Sequence, residues 1–549
     1  MRPACLSLLS LLAVTAGTAD AEDARPNVVL IVADDLGYSD TGSFGGEIRT
    51  PNLDALADQG IRLTNFHAAP TCGPTRAMLL TGVDHHRAGL ASNADALIRL
   101  PELRGRPGYE GHLNRQVVTF ARLLQDSGYR TYMTGKWDLG KEPGFLPTDR
   151  GFDRYFGIAD GGASHFADAI GNSRPQARAA YFDGDQRLEQ LPADFYSSTT
   201  YVDRLLGFVE GGDRKEPFFA YLAFTAPHWP LQVPDDWIDR YAGAYDAGWH
   251  AIREARVAKQ RELGIVADDA PAAPQNRAVP DWGSLSPARR AVELKRMELH
   301  AAMIELMDRE IGRFLAAAGQ GQRETIVIFL SDNGAEANAV DRLPDNEYWI
   351  PATFDNRLDN MGRQGSYVWL GVGWGHAAVT PLRLYKSYPA EGGIRTPAIV
   401  YSSNGRFEPS IRADLVTVMD IAPTILDLAG ATHPGAKYGD RDVLPMNGRS
   451  ALDYLENRTR TVHGDEPIGW ELYGNRALIR GAWKVSLTWP PEGDGRWQLF
   501  NLARDPGETE DLSASRPDLL EELRHAWNDY AEANGVAIFD EDLGYGRYP

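Results

Sequence analysis

The chain alternates short apolar runs with amphipathic stretches over most of its length. Asn27–Ala33 is a continuous apolar run, as expected of a strand buried on both faces of a parallel sheet. Similar runs predict further strands at 130–134, 217–224, 325–330 and 398–401. Helices are predicted between them, at 52–59, 76–80, 117–126, 294–318 and 417–428. This alternation predicts an α/β fold, in which a large, mainly parallel sheet is sandwiched by helices.

The pattern changes near the C-terminus. After residue 446 the apolar runs become short and closely spaced, which is typical of antiparallel strands. Such strands are predicted at 470–472, 477–479, 483–487 and 497–501, followed by a helix at 517–532. We therefore expect a large α/β domain at 22–446 and a smaller C-terminal antiparallel sheet plus helix at 447–549. Two less regular segments, 231–293 and 338–375, are interpreted as surface excursions.

The first 21 residues have the pattern of a secretory signal peptide. Arg2 precedes an apolar run at 5–16, and Ala19-Asp20-Ala21 has the form of a cleavage site. The run is too short to cross a bilayer, and no other stretch looks transmembrane. The sequence thus predicts a periplasmic or secreted protein without a stable membrane anchor.

Charge and cysteine content narrow the chemistry. The formal net charge of −20 argues against a nucleic-acid partner and means that an anionic substrate needs a locally positive site. Of the 2 cysteines, Cys5 lies in the predicted signal, so the mature chain keeps only Cys72. Cys72 therefore cannot form an internal disulfide, and in an oxidising compartment it needs a chemical task or a modification.

Polar residues follow several of the predicted strands where each strand ends. They are Asp34-Asp35, Lys136, His228 and Asp332-Asn333. Open α/β sheets place their sites at the carboxyl ends of strands, so these side chains are expected to meet. Taken singly, each has an ordinary explanation, such as solvated acids or a structural histidine. Together, three carboxylates and an amide suit a hard cation such as Ca²⁺ or Mg²⁺.

The stretch Thr71–Gly82 reads Thr-Cys-Gly-Pro-Thr-Arg-Ala-Met-Leu-Leu-Thr-Gly. Pro74 suits the first turn of a helix and Gly82 its end, so Cys72 is expected at the positive end of a helix dipole. Arg76 would also favour an anion there. The alternative is that Cys72 is a small buried hydrophobic residue. A thiolate phosphatase is excluded, because it needs an arginine six positions after the cysteine, where Met78 stands.

The pattern Cys72-x-Pro74-x-Arg76 with Thr81-Gly82 resembles the signature of the type I, formylglycine-dependent sulfatases of the alkaline phosphatase superfamily. The resemblance covers nearly the whole mature chain and points to the bacterial arylsulfatases. It implies that a formylglycine-generating enzyme oxidises Cys72 to formylglycine (3-oxoalanine). The hydrate of this aldehyde would attack sulfur and displace the alcohol, and its second hydroxyl would allow sulfate to leave.

The resemblance also implies the roles of the other site residues. It assigns one Ca²⁺ ion to Asp34, Asp35, Asp332 and Asn333, with an oxygen of modified Cys72 completing the shell. It further implies that cationic and imidazole groups neutralise the sulfate or hold the hydrate, namely Arg76, Lys136, His228 and Lys386. Of these, His228 or Lys386 is expected to donate the proton to the leaving alcohol.

One residue departs from the family pattern. The family block is usually Gly-Lys-Trp-His-Leu-Gly, and here Asp138 replaces the histidine. That histidine is a candidate base for the expulsion of sulfate. We expect Asp138 to take this role and, beside Lys136, Lys386 and the cation, to stay ionised across neutral pH. Related phosphonate and phosphodiester hydrolases vary at the same place.

The predicted function is an exported sulfatase that hydrolyses small anionic aryl or alkyl sulfate esters. A phosphonate monoester or phosphodiester hydrolase on the same scaffold is the first alternative. The second is a relative without turnover that binds anions in the same pocket.

Overall fold

The computed structural model describes residues 25–544, apart from 104, 214, 319–322 and 344–345. The predicted signal peptide at 1–21 lies outside these residues. Within the described ranges, no helix is long and apolar enough to cross a membrane.

The largest sheet among the described residues has 11 strands. In chain order they are β1 (Asn27–Ala33), β2 (Ile61–His67), β3 (Arg130–Lys136), β4 (Arg154–Ile158), β5 (Tyr181–Asp183), β6 (Gln186–Arg187), β7 (Phe218–Ala223), β8 (Thr325–Ser331), β9 (Arg395–Ser402), β10 (Ser410–Arg412) and β11 (Val416–Thr417). Their order in the sheet is β10-β2-β9-β8-β1-β7-β3-β4-β5-β6, with β11 beside β2. The central strands β8, β1, β7, β3 and β4 are parallel, whereas β9 runs antiparallel to both neighbours. The predicted mainly parallel sheet is confirmed.

Helices cover both faces of this sheet. One face carries α1 (Pro51–Gln59), α6 (Ser197–Glu210) and α8 (Pro287–Ala318), and the other carries α2 (Cys72–Thr81), α5 (Phe120–Asp126) and α12 (Ile421–Ala429). Strand β1 shows why its sequence is apolar throughout. Val29 and Ile31 pack into the first core, and Val28 and Leu30 into the second. A strand between two helical layers needs apolar residues at every position.

The remaining helices are mostly short. They are α3 (His85–Ala88), α4 (Ala94–Arg99), α7 (Gly248–Glu262), α9 (Asn346–Thr353), α10 (Val372–Ala378), α11 (Glu391–Ile394), α13 (Leu452–Leu455) and α14 (Pro517–Asn534). A small hairpin pairs β12 (Lys437–Tyr438) with β13 (Arg441–Asp442).

The C-terminal region forms a separate antiparallel sheet, as the sequence predicted. Its strands are β14 (Ile468–Leu472), β15 (Asn475–Arg480), β16 (Trp483–Leu487) and β17 (Trp497–Asn501). Helix α14 covers one face, where Leu478 and Val485 meet Trp527. The opposite face, with Trp470 and Phe500, joins the second core of the large sheet. The boundary at 446/447 stays a prediction.

The expectation that 231–293 is an irregular surface segment is wrong for part of its length. Helix α7 lies within it and buries Trp249, Arg253, Arg256 and Gln260. The Arg256 guanidinium binds Asp40 and Glu47, each at 2.8 Å. Because α7 buries Arg256 against distant acids and Arg253 against the backbone carbonyls of His376 and Ala273, its sequence lacks the apolar stripe that predicts a packed helix.

A buried ion cluster ties the large sheet's side of the molecule to the C-terminal sheet. His86, on α3, has Nδ1 at 3.0 Å from Asp84 Oδ1 and Nε2 at 2.9 Å from Glu471 Oε2 on β14. Tyr530 of α14 donates to the other Asp84 oxygen at 2.9 Å. Burial opposes the imidazolium, but the two acids prevail and raise the pKa of His86 to about 9. Both ring nitrogens donate protons to acids, so this histidine is not free to bind a metal.

This cluster predicts a stability that declines at alkaline pH. The folded state holds the His86 proton up to about pH 9, whereas the unfolded chain releases it near 6.5. The stabilisation is therefore complete below pH 6.5 and is lost as the pH rises through 9, by about 3 kcal/mol. Denaturant unfolding at pH 6.5 and 9.5 should show this loss in the wild type and a smaller one in Glu471→Gln. Glu522→Gln, an exposed acid paired with Arg480, is the control. An unchanged loss in Glu471→Gln would contradict the assignment.

A second buried ion pair lies beneath the loop that carries Lys386. Lys484 of β16 is fully buried and binds Glu391 at 2.8 Å and Glu508 at 3.0 Å. Glu391 opens α11, which joins the Lys386 loop to β9, and it also contacts His67 at the end of β2. The C-terminal sheet thus helps to fix a segment of the site.

Candidate active site

Four neighbouring strands deliver the predicted residues to one edge of the sheet. The carboxyl ends of β8, β1, β7 and β3 lie side by side. Asp332-Asn333, Asp34-Asp35 and His228 follow the first three, and Lys136 is the last residue of β3. Lys386 comes from the loop before β9. Because β9 is antiparallel, its beginning faces the same edge. All of the predicted site residues lie at this edge, as the strand-end rule requires.

Helix α2 begins at Cys72, as predicted. Thr71 is its N-cap residue, and Gly82 ends it with a left-handed backbone, φ 67°. Every residue of the helix is buried. Asn93 fixes its start, because its amide donates to Thr71 Oγ1 at 2.8 Å and its carbonyl accepts from Gly73 N–H at 3.1 Å. Cys72 is therefore held rigidly at the positive end of the helix.

The Cys72 sulfur faces the two adjacent aspartates. Sγ lies 3.3 Å from Asp34 Oδ1 and 3.8 Å from Asp35 Oδ1. Burial and the nearby Asp332 charge raise the pKa of the Cys72 thiol well above its ordinary value. The unmodified side chain is thus a protonated thiol at neutral pH, which is a poor nucleophile.

Three acids and three bases interlock around this sulfur. Lys136 Nζ binds Asp34 Oδ2 at 2.8 Å, and Lys386 Nζ lies 2.7 Å from Asp35 Oδ1. Arg76 places Nη2 at 2.7 Å and Nε at 3.0 Å from Asp332 Oδ2. Burial opposes every one of these charges, but the opposite charges prevail for several of them. The pKa of Asp35 falls below its ordinary value, and those of Lys136 and Lys386 rise above theirs.

The site also contains an acceptor without a donor. Asn333 Nδ2 donates to Asp35 Oδ1 at 2.7 Å, while the buried Asn333 Oδ1 has no partner among the described residues. Ligand atoms of Asp34, Asp35, Cys72 and His228 all lie within 4.8 Å of one another. An unpaired amide oxygen beside clustered carboxylates is a donor set for a hard cation.

His228 is oriented by backbone groups. Its Nδ1 donates to Trp229 O at 2.5 Å, because a carbonyl can only accept, and its Nε2 lies 3.6 Å from Asp35 Oδ2. Burial outweighs the Asp35 charge and lowers the pKa of His228 to about 3. In the neutral ring the proton sits on Nδ1, so Nε2 is a proton acceptor. Behind it, His165 Nε2 donates to His228 O at 3.1 Å.

The protein groups around Asp138 do not by themselves keep it ionised, so the expectation that it stays ionised beside the cation remains a prediction. Burial dominates, opposed by Lys136 and reinforced by Asp95, and raises the pKa of Asp138 to about 7. Lys136 is too distant to prevent this, at 4.0 Å from Asp138 Oδ2, because its ammonium is bound to Asp34. With these groups alone, Asp138 therefore changes its charge within the neutral range.

The structure places Arg76 behind the site rather than in its wall. The side chain is fully buried, and its remaining Nη1 donates to Lys136 O at 3.0 Å. The Arg76 donors are occupied by Asp332 and by the Lys136 carbonyl, so Arg76 fixes Asp332 and the end of β3. Arg76 does not line the cavity, and its expected role in neutralising the sulfate or holding the hydrate stays a prediction.

Several supporting residues were not predicted. Glu336 lies 3.8 Å from Lys386 Nζ, and Asn338 donates to Lys386 O at 3.3 Å. Both follow Asp332-Asn333 closely in the chain, so the strand-end block could have been extended to include them. Asn93 and His165 belong to no motif, and only the tertiary structure brings them to Cys72 and His228.

A cavity of about 280 Å³ opens above these groups. Its floor includes Cys72, Lys136, Asp138, His228 and Lys386. Its outer wall carries Phe145 and His112, whose rings lie 4.0 Å apart, together with Trp229. Two lysines in the floor and a partly aromatic wall suit a small anion attached to an organic group.

Comparisons with known proteins identify the fold family. Residues 26–431 match the profile of the Sulfatase family. The chain belongs to the sulfatase family. It is 41% identical over 542 residues to an uncharacterized sulfatase of Schizosaccharomyces pombe, covering 95% of this chain and 96% of that protein. It is 40% identical over 448 residues to the arylsulfatase of Klebsiella aerogenes, covering 80% of this chain and 94% of the relative.

Solved structures agree with the sulfatase fold. The crystal structure of Ps i-CgsB in complex with k-i-k-neocarrahexaose superposes with a TM-score of 0.64 at 23% identity. The match covers 94% of this chain and 95% of that one. The predicted family is confirmed, and this sulfatase is a sulfuric ester hydrolase.

Proposed function

We propose that this sulfatase acts through a formylglycine derived from Cys72 and through one Ca²⁺ ion, on small aryl or alkyl sulfate esters. The observation that carries the proposal is the state of Cys72. The residue stands at the focus of the site, yet burial keeps its thiol protonated, so an unmodified cysteine is poorly suited to attack. Oxidation to an aldehyde, whose hydrate has two hydroxyls, supplies a nucleophile without a thiolate.

The donor set fits a calcium ion. Asp34, Asp35, Asp332 and the unpaired Asn333 Oδ1 would hold it, and its chemistry is to offset the acids and polarise a sulfate oxygen. Without the ion, three acids face three bases. A dication therefore leaves the site net positive, which favours an anionic sulfate ester inside a strongly acidic protein.

The proton roles follow from the contacts of each side chain. Lys386 carries its proton at Nζ, beside Asp35 and the cavity, and we assign it as the donor to the leaving alcohol. His228 presents an unprotonated Nε2, so it is better placed to accept a proton than to give one. Lys136 lies over Asp34 and lines the cavity floor, where its charge can neutralise a sulfate oxygen.

The cavity supports a small leaving group. Its volume of about 280 Å³ lies at the lower end of ligand pockets, and its wall offers the Phe145 and His112 rings. One aromatic ring or a short alkyl chain fits this description. The similarity to the Klebsiella aerogenes arylsulfatase supports the same class of substrate.

The decisive assay compares two leaving-group-matched substrates. The full-length protein, expressed with a formylglycine-generating enzyme, should hydrolyse 4-nitrophenyl sulfate with a higher kcat/KM than 4-nitrophenyl phenylphosphonate. A preference for the phosphonate would favour the alternative hydrolase. Binding of both compounds without turnover, together with an unmodified Cys72 peptide, would favour the binding relative.

Removal of the metal is expected to lower activity and stability together. A ligand that binds only the native state stabilises it by mass action, by about 4 kcal/mol at a thousandfold excess over Kd. Asp332→Ala should weaken Ca²⁺ binding, since it removes a charged ligand, whereas the exposed Asp359→Ala is the control. Elemental analysis, and thermal melting with and without a chelator, measure both effects. Active enzyme that contains no divalent ion would refute the calcium proposal.

The predicted signal peptide supports a location outside the cytoplasm. We propose export to the periplasm or medium, after Cys72 has met the formylglycine-generating enzyme. Comparison of the N-terminus of the purified native protein with Met1 tests cleavage after Ala21.

A further inference from the structure

A second cavity, of about 660 Å³, lies on the other side of a wall of the active site. We call it the arginine cavity, because Arg277, Arg289, Arg296 and Arg342 line it. The segment 336–343 lines both cavities, as does the loop around Lys386, which contributes Tyr385 and Tyr388 here. The two excursions of the sequence, 231–293 and 338–375, meet to form it.

Arg296 is the centre of this cavity. Only 6% of it is exposed, and its guanidinium lies over the Trp369 ring at 4.5 Å from the centroid. Its Nη1 donates to Glu293 Oε1 at 3.1 Å, but Glu293 is shared with Arg289 at 2.6 Å. Burial lowers the pKa of Arg296, against the raising effect of Glu293. The cation is thus incompletely neutralised.

Two buried donors that line the cavity lack acceptors. Arg296 Nε and Trp249 Nε1 have no hydrogen-bond partner within the described residues, and Trp249 is 2% exposed. Buried donors of this kind are normally paired. Both groups are donors, so the ligand that would satisfy them carries acceptors and is oxygen-rich or anionic.

The acids of the cavity do not fill this role. Glu492 is satisfied by Asn276 at 2.7 Å and by the Tyr385 hydroxyl at 3.2 Å, and Glu293 is held by two arginines. Asp341 also lines the cavity, and its charge raises the pKa of Arg296, but burial prevails and that pKa stays below its ordinary value. Four arginines and three acids line the cavity, and two of these acids, Glu293 and Glu492, are already bound by other side chains.

We propose that the arginine cavity binds a small organic oxyanion, a sulfate, sulfonate or carboxylate carried on a ring. The volume is that of a small-molecule pocket. Arg296 is preorganised by Trp369 to hold an oxyanion with its fork of donors, and the aromatic side chains provide a surface for the ring. This site is separate from the one that hydrolyses sulfate esters and does not depend on the proposed mechanism.

The test is calorimetric titration of the full chain with naphthalene-2-sulfonate, in Tris-chloride buffer free of sulfate and phosphate. A sulfonate has a carbon–sulfur bond that ester hydrolysis does not cleave. Wild-type protein should bind at two sites, of which Lys386→Ala removes the one in the active site. Arg296→Met should weaken the other about tenfold or more, since charge-assisted hydrogen bonds are lost. Titration with D-glucuronate repeats the measurement with a carboxylate on a sugar ring.

The matched control is Arg240→Met. Arg240 also lies over a tryptophan ring, Trp237 at 5.2 Å, and pairs with an acid, Glu305 at 2.6 Å, but it lines neither cavity. Arg342→Ala changes an exposed residue of the same cavity, so it tests the site even if the buried Arg296 variant misfolds. It should weaken binding severalfold. Binding of both probes unchanged in Arg296→Met and Arg342→Ala, or lost entirely in Lys386→Ala, overturns the proposal. So does the absence of a second site in the wild type for both probes.

Discussion

Replacing Cys72 with alanine should reduce sulfate ester hydrolysis by at least about a thousandfold while sparing the fold. The side chain lies 3.3 Å from Asp34 and at the floor of the cavity, where the proposed nucleophile must stand. Only one small sulfur is removed from a helix that Asn93, Thr71 and apolar neighbours hold in place. The expected loss of stability is about 1 kcal/mol.

Initial rates with 4-nitrophenyl sulfate and thermal melting measure the two effects. Met78→Leu, a change of similar volume in the same buried helix, is the control and should keep most of the activity. Mass spectrometry of the wild-type Cys72 peptide should show the aldehyde. An alanine variant that retains most of the activity would exclude the formylglycine mechanism.

The central sheet could be predicted because its strands are buried on both faces. β1 and β8 are continuous apolar runs, and the structure buries every residue of both. β2 has no such run, since Arg62 and Asn65 interrupt it and are only partly buried. Helix α7 was missed for the opposite reason, because it buries Arg256 against Asp40 and Glu47. The local sequence pattern indicates which apolar residues are buried. It does not indicate a buried charge that is neutralised by a residue distant in the chain.

The site could be predicted in position but not in electrostatics. Parallel neighbours bring Asp34, Lys136, His228 and Asp332 to one edge whatever the loops do, so strand ends were sufficient. The sequence does not reveal which cation binds which acid. Lys136 is bound to Asp34, and so it cannot keep the buried Asp138 ionised. In the same way, Arg76 is bound to Asp332 and does not reach the cavity.

The sequence also does not reveal that two site residues have a left-handed backbone. Asp35 has φ 65° and Asp138 has φ 57°, conformations that cost a non-glycine residue about 1–2 kcal/mol. Gly135, two residues before Trp137, combines a left-handed backbone with a close approach to the neighbouring strand. It has φ 100°, and a Cβ there would lie 1.8 Å from Ala223 O on β7. The chain thus turns sharply at the end of β3 and directs Asp138 toward the cavity.

Asp138→Asn is expected to slow the reaction and stabilise the protein. If Asp138 is the base that assists sulfate release, its loss should slow sulfate release more than phenol release. The variant should then show a burst of about one phenol per active site, followed by a slow steady rate. Wild-type activity should rise with pH through about 7, where Asp138 loses its proton, and this dependence should vanish in the variant.

The stability effect has the opposite sign and tests the buried charge independently. Folded Asp138 keeps its proton up to about pH 7, whereas the unfolded chain releases it near 3.9, so stability falls as the pH rises from 4 through 7. Asparagine carries no such charge and should be more stable at pH 8 by about 4 kcal/mol. The control is Asp160→Asn, which should not gain stability because the wild-type Asp160 carboxylate is bound to Lys141 at 2.8 Å.

Asp138→His should restore turnover, with a new pH dependence near 6.5. Burst-free kinetics at an unchanged rate in Asp138→Asn would instead assign sulfate release to another base, such as His228, whose unprotonated Nε2 can accept a proton.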